Sequence, residues 1–371
     1  MPGGASTERL EKSRIPLWRY PMFVAWRDIR FARGRFLLIA AVVALISVLV
    51  GFLSGLTGGL AWQNVSAIVQ LDADRVVLAP TSVGATPSLA DSTVTADQLA
   101  TWAQRPGVRE VVPLGISQVR AQSADGRVAV ALFGSDDDAP PAGQVSMSDA
   151  AAKDLDVVVG DTIEIAGRSL TVSAIGGDDW YSHTPVLRTT LADWQSVARA
   201  TGSPDAYATA GLVRGETAWD AADAAASTTS SSVLQSLLTL PAFRSETGSL
   251  LLIVALLFGI SALVVGAFFA VWTMQRRGDV AILKALGATN GSLLRDALGQ
   301  ALVVLLVGGA VGMGLVVAGG LAVQGTLPFL LSPLTTVVPA LLLLVVGLVG
   351  AAFSLRTVIS ADPLTALGSN R

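Results

Sequence analysis

Three long stretches of this sequence carry no charged side chain, and they restrict the chain to folds that cross a membrane. A membrane-spanning helix needs about 20 consecutive apolar residues. The uncharged stretches lie between Arg35 and Asp72, between Glu246 and Arg276, and between Asp296 and Arg356. The first two are long enough for one span each and the third for two, so the sequence predicts four transmembrane helices.

The distribution of charge predicts how these helices are oriented. Residues 61–247 hold 22 acidic and 11 basic side chains, whereas the rest of the chain holds six acidic and 14 basic ones. Basic residues concentrate on the cytoplasmic side of membrane proteins. We therefore expect a multi-pass protein of the plasma membrane with both termini in the cytoplasm. The predicted segments are a cytoplasmic N-terminal segment (1–35), a first span (36–62), an extracytoplasmic domain (63–247), a second span (248–274), a cytoplasmic link (275–296), a third span (297–323), a fourth span (335–355) and a cytoplasmic tail (356–371).

The extracytoplasmic domain is predicted to mix strands and helices. Strand-like runs occur at residues 75–79, 108–112, 127–133, 162–165 and 170–174. A helical pattern covers 146–155, and the small residues of 221–232 predict an exposed helix or a hinge. The chain has no cysteine, which excludes disulfides and thiolate metal sites. The predicted fold class is a membrane α-helical protein of four transmembrane helices, with an α+β extracytoplasmic domain inserted between helices 1 and 2.

Two segments before the domain carry regular patterns. Residues 17–35 place Phe23, Trp26 and Ile29 at helical spacing among arginines, which predicts an amphipathic helix on the inner membrane surface. The first span carries small residues four apart, at Ser47, Gly51, Gly55 and Gly59. Small residues at this spacing let helix backbones approach closely. The pattern fits packing within the chain as well as a homodimer interface.

The link between the second and third spans is polar and patterned, which is typical of a contact surface rather than a passive turn. It reads QRRGDVAILKALGATNGSLLRDALG over residues 275–299, and Gly287 is a natural helix stop. The chain contains no G-x-x-x-x-G-K-[ST] motif and therefore lacks the phosphate-binding loop that ATP requires. Any energy from ATP has to come from a second polypeptide.

Three short runs resemble a known family. RRGDVAILKALGAT (276–289) and ADPLTAL (361–367) resemble the cytoplasmic signature and C-terminal tail of ABC-type permeases of the FtsX/MacB/LolE superfamily. QLDADRVVL (70–78) is similar to the HrtB/DevC-like haem-exporter branch. The resemblance implies a homodimer in the lipid bilayer with two copies of a separate ABC ATPase subunit, and no nucleic-acid partner. It also implies that the ATPase contact is made by Asp279, Ile282, Leu283, Lys284, Leu286 and Gly287.

Glu246 is the charged residue nearest the outer end of the second span. Counted from Arg276 at the inner surface, about 20 helical residues reach the outer hydrocarbon boundary, and Glu246 lies beyond it. One hypothesis is a carboxylate that stabilises the N-terminal end of a helix. The other is a polar contact to substrate between the first two spans. If the substrate is haem, as the family branch suggests, Glu246 is the available iron ligand, with Leu56, Leu60 and Phe243 against the porphyrin ring.

Other polar clusters predict no further site. His183 is the sole histidine, in a loop with Asp178 and Asp179, and we expect this loop to be solvated. The acidic run 136–138 is likewise expected to be a solvated loop. We expect no catalytic residues, no bound metal and no permanent cofactor, with ATP on the partner subunit and haem as a substrate. The expected function is efflux of a hydrophobic or amphipathic compound, with haem as the best candidate. Peptide, lipid or antibiotic export and FtsX-like regulation of a cell-wall hydrolase are the alternatives.

Overall fold

The computed structural model describes residues 33–82, 85–275, 278, 282 and 287–359. The predicted amphipathic helix therefore lies almost wholly outside the described residues, as does most of the C-terminal tail. The described chain forms two compact units. One contains the apolar helices, and the other contains residues 56–252 together with 327–330.

The chain begins with a helix that is much longer than a membrane is thick. Helix α1 spans Arg33–Val69 and has 37 residues. At 1.5 Å per residue it is about 55 Å long, against about 30 Å of hydrocarbon. The last turns of α1 therefore extend beyond the predicted span and carry the polar residues Gln63, Asn64 and Ser66.

The domain that follows is built from ten strands and five short helices within the described residues. In chain order these are β1 (Arg75–Leu78), α2 (Ala96–Ala103), β2 (Val108–Gln122), β3 (Arg127–Gly134), β4 (Gln144–Met147), α3 (Asp149–Leu155), β5 (Thr162–Ile165), β6 (Arg168–Ile175), β7 (Trp180–Tyr181), β8 (Thr184–Thr189), α4 (Leu191–Ala200), β9 (Ala210–Gly215), α5 (Trp219–Ala226), β10 (Thr229–Ser231) and α6 (Val233–Ser236). A 3-10 turn, Leu237–Thr239, follows α6.

Six of these strands close into a ring. The neighbours run in the order β2, β3, β8, β4, β6 and β5, and β5 pairs again with β2. The long strand β2 also pairs with β9, from which β1 and β10 continue the sheet. β2 is therefore shared between the ring and the second part of the sheet, and it joins them into one domain.

Alternating side chains divide the domain into separate cores. In β3, Val130 and Leu132 join the core that α3 and α4 cover, whereas Ala131 and Phe133 join the core beside α1. This alternation is the period of a strand buried on both faces. The second core also contains Val65 and Ile68, so the outer end of α1 packs into the domain through apolar contacts.

The predicted helix at 146–155 is partly wrong. Residues 144–147 form β4, with Val145 and Met147 buried on alternate positions. The helix starts at Asp149, because the Ser148 hydroxyl accepts the N–H of Ala151 and caps it. Residues 221–232 likewise divide into the end of α5, a left-handed cap at Ser227 and strand β10.

Three apolar helices complete the chain: α7 (Pro241–Gln275), α8 (Asn290–Val323) and α9 (Pro333–Ile359). Together with α1 they are the four described helices that are long and apolar enough to cross a membrane. Along the sequence they flank the strand-rich domain in the predicted order, which confirms the predicted fold class. α7, like α1, is longer than its predicted span and starts seven residues earlier, at Pro241.

The small-residue face of α1 packs within the chain. Ser47 is 2% exposed, and a Cβ added at Gly312 of α8 would lie 2.5 Å from the Ser47 Cβ. A Cβ added at Gly51 would lie 2.7 Å from a methyl group of Val316, also in α8. These distances are far below ordinary van der Waals contact, so the two backbones approach as closely as glycine allows. Of the two alternatives left open by the pattern, the structure favours packing within the chain.

Candidate functional site

The carboxylate of Glu246 is the centre of a polar cluster at the start of α7. His183 Nε2 lies 2.8 Å from Glu246 Oε2. Asn64 Nδ2 donates a hydrogen bond to the same oxygen over 3.1 Å. The Glu246 side chain is 31% exposed, so the cluster is accessible from one side. It joins three segments that are distant in the sequence: the end of α1, the β7–β8 turn and the first turns of α7.

A tight turn fixes His183 in this cluster. Ser182 and His183 connect β7 to β8, and both have positive φ, at 46° and 62°. Two positive φ values in a two-residue hairpin turn are the pattern of a type I′ turn, which favours Asn-Gly. In non-glycine residues the conformation costs about 1–3 kcal/mol each and persists only where the surroundings hold it.

Helix α1 supplies the contacts that hold the turn. The N–H groups of Ser182 and His183 donate to the carbonyl oxygens of Asn64 and Gln63, each over 2.9 Å. The Ser66 hydroxyl accepts the N–H of Trp180 over 2.8 Å. The turn is thus tied to the helix through its backbone, which places His183 within hydrogen-bonding reach of Glu246.

Asn64 is buried, with 1% of its surface exposed. Its Nδ2 donates to Glu246, but its Oδ1 has no hydrogen-bond partner among the described residues. An unsatisfied buried acceptor costs about 1–3 kcal/mol. An unsatisfied buried atom in a folded protein needs an explanation. Here the side chain is oriented by the bond from Nδ2 to the Glu246 carboxylate, and this orientation leaves Oδ1 without a donor.

A second layer of polar contacts supports the hairpin. Asp179 accepts a hydrogen bond from Gln70, the residue that follows α1, over 2.8 Å and pairs with Arg188 of β8 over 2.7 Å. Tyr181 is 3% exposed, and burial, followed by the nearby charge of Asp91, raises the pKa of its hydroxyl above its usual value. The expectation of a solvated loop around His183 is therefore incomplete, because Asp178 and His183 are exposed but the loop is also hydrogen-bonded to the end of α1.

The apolar residues predicted to touch a substrate lie on the two helices that carry the cluster. Leu56 and Leu60 are half-buried and precede Asn64 by eight and four residues, so the three share one face of α1. Phe243 lies three residues before Glu246 on α7 and is also half-buried. Phe243 packs against the second core, which leaves only part of its ring for a ligand.

Arg214 forms a separate charged network near the run 70–78. It pairs with Glu110 over 2.7 Å and with Asp72 over 3.4 Å, and it makes a short contact with Asp137. The hydrogen bond to Glu110, followed by that to Asp137, raises the pKa of Arg214 above its usual value. The expectation that 136–138 is merely solvated is therefore incomplete, because Asp137 ties this loop to β9.

The predicted ATPase contact is described only in part. Ile282 is 62% exposed, and Gly287 has φ +96°, a conformation that suits the predicted helix stop. Asp279, Leu283, Lys284 and Leu286 lie outside the described residues. No group of three or more His, Asp or Glu side chains able to hold a metal ion occurs in the part of the chain that the structure describes.

The sequence identified Glu246 but not its histidine partner. His183 is 63 residues from Glu246, and Asn64 is 182 residues from it. A Ser-His pair is not a typical type I′ turn, so no local signal predicted the hairpin that brings His183 to the helix. The sole histidine of the chain was the one available signal, and it was not sufficient.

Comparison with known proteins shows similarity to permeases. Residues 251–363 match the model of the FtsX-like permease C-terminal domain. A Staphylococcus haemolyticus permease named for a hemin transport system, HrtB, is 25% identical over 367 residues, which cover 94% of this chain and 99% of that protein. An uncharacterised ABC transporter permease of Mycobacterium bovis is 24% identical over 94% of this chain and 99% of its own length. The periplasmic region of MacB from Actinobacillus actinomycetemcomitans aligns with 43% of this chain and 89% of its own at a TM-score of 0.33 and 10% identity.

The matched residues 251–363 include the signature at 276–289 and the helices α8 and α9. ABC permeases of this kind work with a separate ATPase chain in the plasma membrane. The chain thus carries a match to the FtsX-like permease C-terminal domain over residues 251–363, and along almost its whole length it is similar to ABC-transporter permeases of this type.

Proposed function

We propose that this permease is the membrane subunit of an ATP-driven efflux complex for haem or a similarly amphipathic compound. Two copies of the chain act with two ATPase subunits, and both termini are cytoplasmic. The full-length similarity to permeases named for hemin transport supports the substrate class. The charge asymmetry between 61–247 and the rest of the chain supports the orientation.

The observation that carries the substrate proposal is the accessible carboxylate of Glu246, at the outer end of a helix with no other charge between residues 247 and 275. In an iron porphyrin the four ring nitrogens already bind the iron, so a protein has to supply only axial ligands. A carboxylate oxygen is such a ligand, and in a two-fold dimer two copies of Glu246 are available. Leu56, Leu60 and Phe243 would contact the apolar ring.

The cytoplasmic link transmits the work of the ATPase in this proposal. Closing of the ATPase pair pushes on residues 279–287 and tilts the first two spans, so that the bound compound is released outward. Ile282, Leu283 and Leu286 are the apolar contacts, and Asp279 and Lys284 are the polar ones. A Leu286→Asp or Gly287→Pro variant should lose capture of the ATPase, whereas Leu286→Met should retain it. Undiminished capture and ATPase stimulation in the Asp and Pro variants would refute this role.

The substrate proposal is tested by haem binding to the purified complex. Glu246→Ala should lose the absorbance of bound haem and the stimulation of ATP hydrolysis by haem. Glu216→Ala is the matched control, because Glu216 is an exposed acidic residue of the same domain outside the cluster. Equal haem binding by the two variants would contradict the assignment of Glu246. Screening peptides, lipids and antibiotics in the same ATPase assay covers the other substrate classes.

FtsX-like regulation of a cell-wall hydrolase is the second candidate. It requires an exposed apolar surface on the outer domain to contact the partner, and the domain has one. Val158 and Val159 are 66% and 57% exposed in the loop between α3 and β5. Under this alternative, a Val158→Ser, Val159→Ser double variant should impair cell-wall hydrolysis in cells without changing haem resistance. The efflux proposal expects the opposite outcome: deletion of the gene makes cells haem-sensitive, and the double variant restores resistance.

A further inference from the structure

Both hydrogen bonds to Glu246 fall on the same oxygen. His183 and Asn64 contact Oε2, at 2.8 and 3.1 Å. Oε1 receives no hydrogen bond from any residue that the structure describes. A carboxylate with one oxygen held by two groups and the other left open is oriented but not saturated.

We infer that His183 and Asn64 are positioning residues, which hold Oε2 so that Oε1 of Glu246 is presented to a substrate carrying a Lewis-acidic metal centre or a cation. The inference rests on the proposed function, since it assigns the substrate to Glu246. It adds the atom that binds, the residues that aim it and the chemical class that it selects.

The direction of the hydrogen bonds supports this assignment. A carboxylate oxygen accepts hydrogen bonds, so the Nε2–H tautomer of His183 donates to Oε2 beside Nδ2 of Asn64. Two hydrogen bonds to the same oxygen fix the plane of the Glu246 carboxylate. Carboxylates that bind metals are themselves commonly hydrogen-bonded in this way, and loss of such a partner typically lowers metal affinity about 10- to 100-fold.

The backbone of the hairpin explains why His183 can position another group. Its turn is held in a left-handed conformation by two N–H bonds to carbonyl groups of α1, each 2.9 Å long. A side chain on such a fixed backbone loses little entropy when it binds the carboxylate. Asn64 is 1% exposed and lies in the same helix, so both donors are supported by one rigid element.

The resulting site selects by charge. An open carboxylate oxygen attracts a metal centre or a cation and disfavours a neutral or anionic group at the same position. Ferric haem therefore satisfies it, whereas metal-free protoporphyrin has the same ring and side chains without the metal. Comparison of these two compounds separates binding at Oε1 from apolar contact with the ring.

The test is a titration of the purified permease–ATPase complex with ferric haem and with metal-free protoporphyrin, followed by absorbance. His183→Ala should weaken ferric haem binding about 10- to 100-fold and shift the absorbance of the bound haem, with little effect on metal-free protoporphyrin. His183→Gln, which keeps an N–H donor at a similar reach, should restore affinity to within a few-fold and restore the spectrum. Both variants should elute from gel filtration at the wild-type volume, which excludes a general folding defect.

Two outcomes would overturn the inference while leaving the proposed function in place. In the first, Glu246→Ala abolishes haem binding but His183→Ala keeps the wild-type affinity and spectrum, so that Glu246 needs no positioning by His183. In the second, the Ala and Gln variants of His183 weaken binding of both porphyrins equally, which indicates a structural role for the histidine. A third outcome is distinguishable from these: if Glu246→Ala binds haem as well as the wild-type protein does, the inference and the proposed haem site fail together.

Discussion

Replacing Gly312 by alanine tests the close packing of α8 on α1. A Cβ at this position would lie 2.4 Å from the carbonyl oxygen of Ala44 and 2.5 Å from the Cβ of Ser47. Neither neighbour can rotate away, because one is backbone and the other is the first atom of its side chain. Gly314, two residues further along α8, is the matched control, since an added Cβ there meets nothing within 4 Å.

The magnitude follows from these distances. Carbon atoms in contact prefer separations of about 3.5–4.0 Å, so the helices have to move apart by about 1 Å to accept the methyl group. Overpacking of this kind costs about 1–3 kcal/mol. Alanine also stabilises a helix by about 1 kcal/mol relative to glycine, and this stabilisation is common to both variants. The difference in the free energy of unfolding between the Gly312 and Gly314 variants should therefore be about 1–3 kcal/mol.

The assay is denaturant unfolding of the full chain in detergent micelles, followed by tryptophan fluorescence. Gly314→Ala should unfold at or slightly above the wild-type midpoint, and Gly312→Ala clearly below the midpoint of Gly314→Ala. Equal midpoints for the two variants would refute the packing of α8 against Ser47 and would reopen the homodimer interpretation of the small-residue face. A midpoint for Gly308→Ala equal to that of Gly314→Ala would point the same way, because its Cβ would lie 2.7 Å from the Ala40 carbonyl oxygen.

Three further predictions concern the outer domain. Arg214→Ala should destabilise the outer domain by about 1–3 kcal/mol, because three carboxylates lose their shared partner. Arg109→Ala is the control: it removes a side chain that is 76% exposed and should change the unfolding midpoint little. Gly134→Ala should destabilise the domain strongly, since its Cβ would lie 2.1 Å from a tryptophan side chain, and Gly176→Ala, with open space around it, should not. Tyr181 has a pKa raised by burial, so its contribution to stability is complete below about pH 10 and is lost as the pH rises above that value, where the unfolded phenol ionises. Tyr181→Phe should therefore reduce the loss of stability between about pH 9 and pH 11 in denaturant titrations, and an unchanged pH dependence would contradict this account.

Much of the membrane architecture follows from the sequence because the cost of burying charge in a bilayer is local. A charge-free run of sufficient length is a span wherever the rest of the chain goes, so the four helices and their order are predictable. The strands of the ring with clear alternation, such as β3 and β5, are predictable for a similar reason. β4, β7, β8 and β10 are short or polar, and their pairing partners decide that they are strands.

The place of Glu246 was also predictable, because it is the charge that borders an uncharged run. The hydrogen bonds that its carboxylate makes were not predictable. The bonds from His183 and Asn64 join positions far apart in the chain, and a hairpin turn without the usual residues brings them together.

The sequence by itself thus determined which segments are long and apolar enough to cross the bilayer, where the outer domain is inserted and that the chain lacks the phosphate-binding motif for ATP, since each depends on local composition. Only the tertiary structure decided that the small-residue face of α1 meets α8, and that one oxygen of Glu246 is held while the other is left open. Both depend on distances between segments that no local pattern encodes.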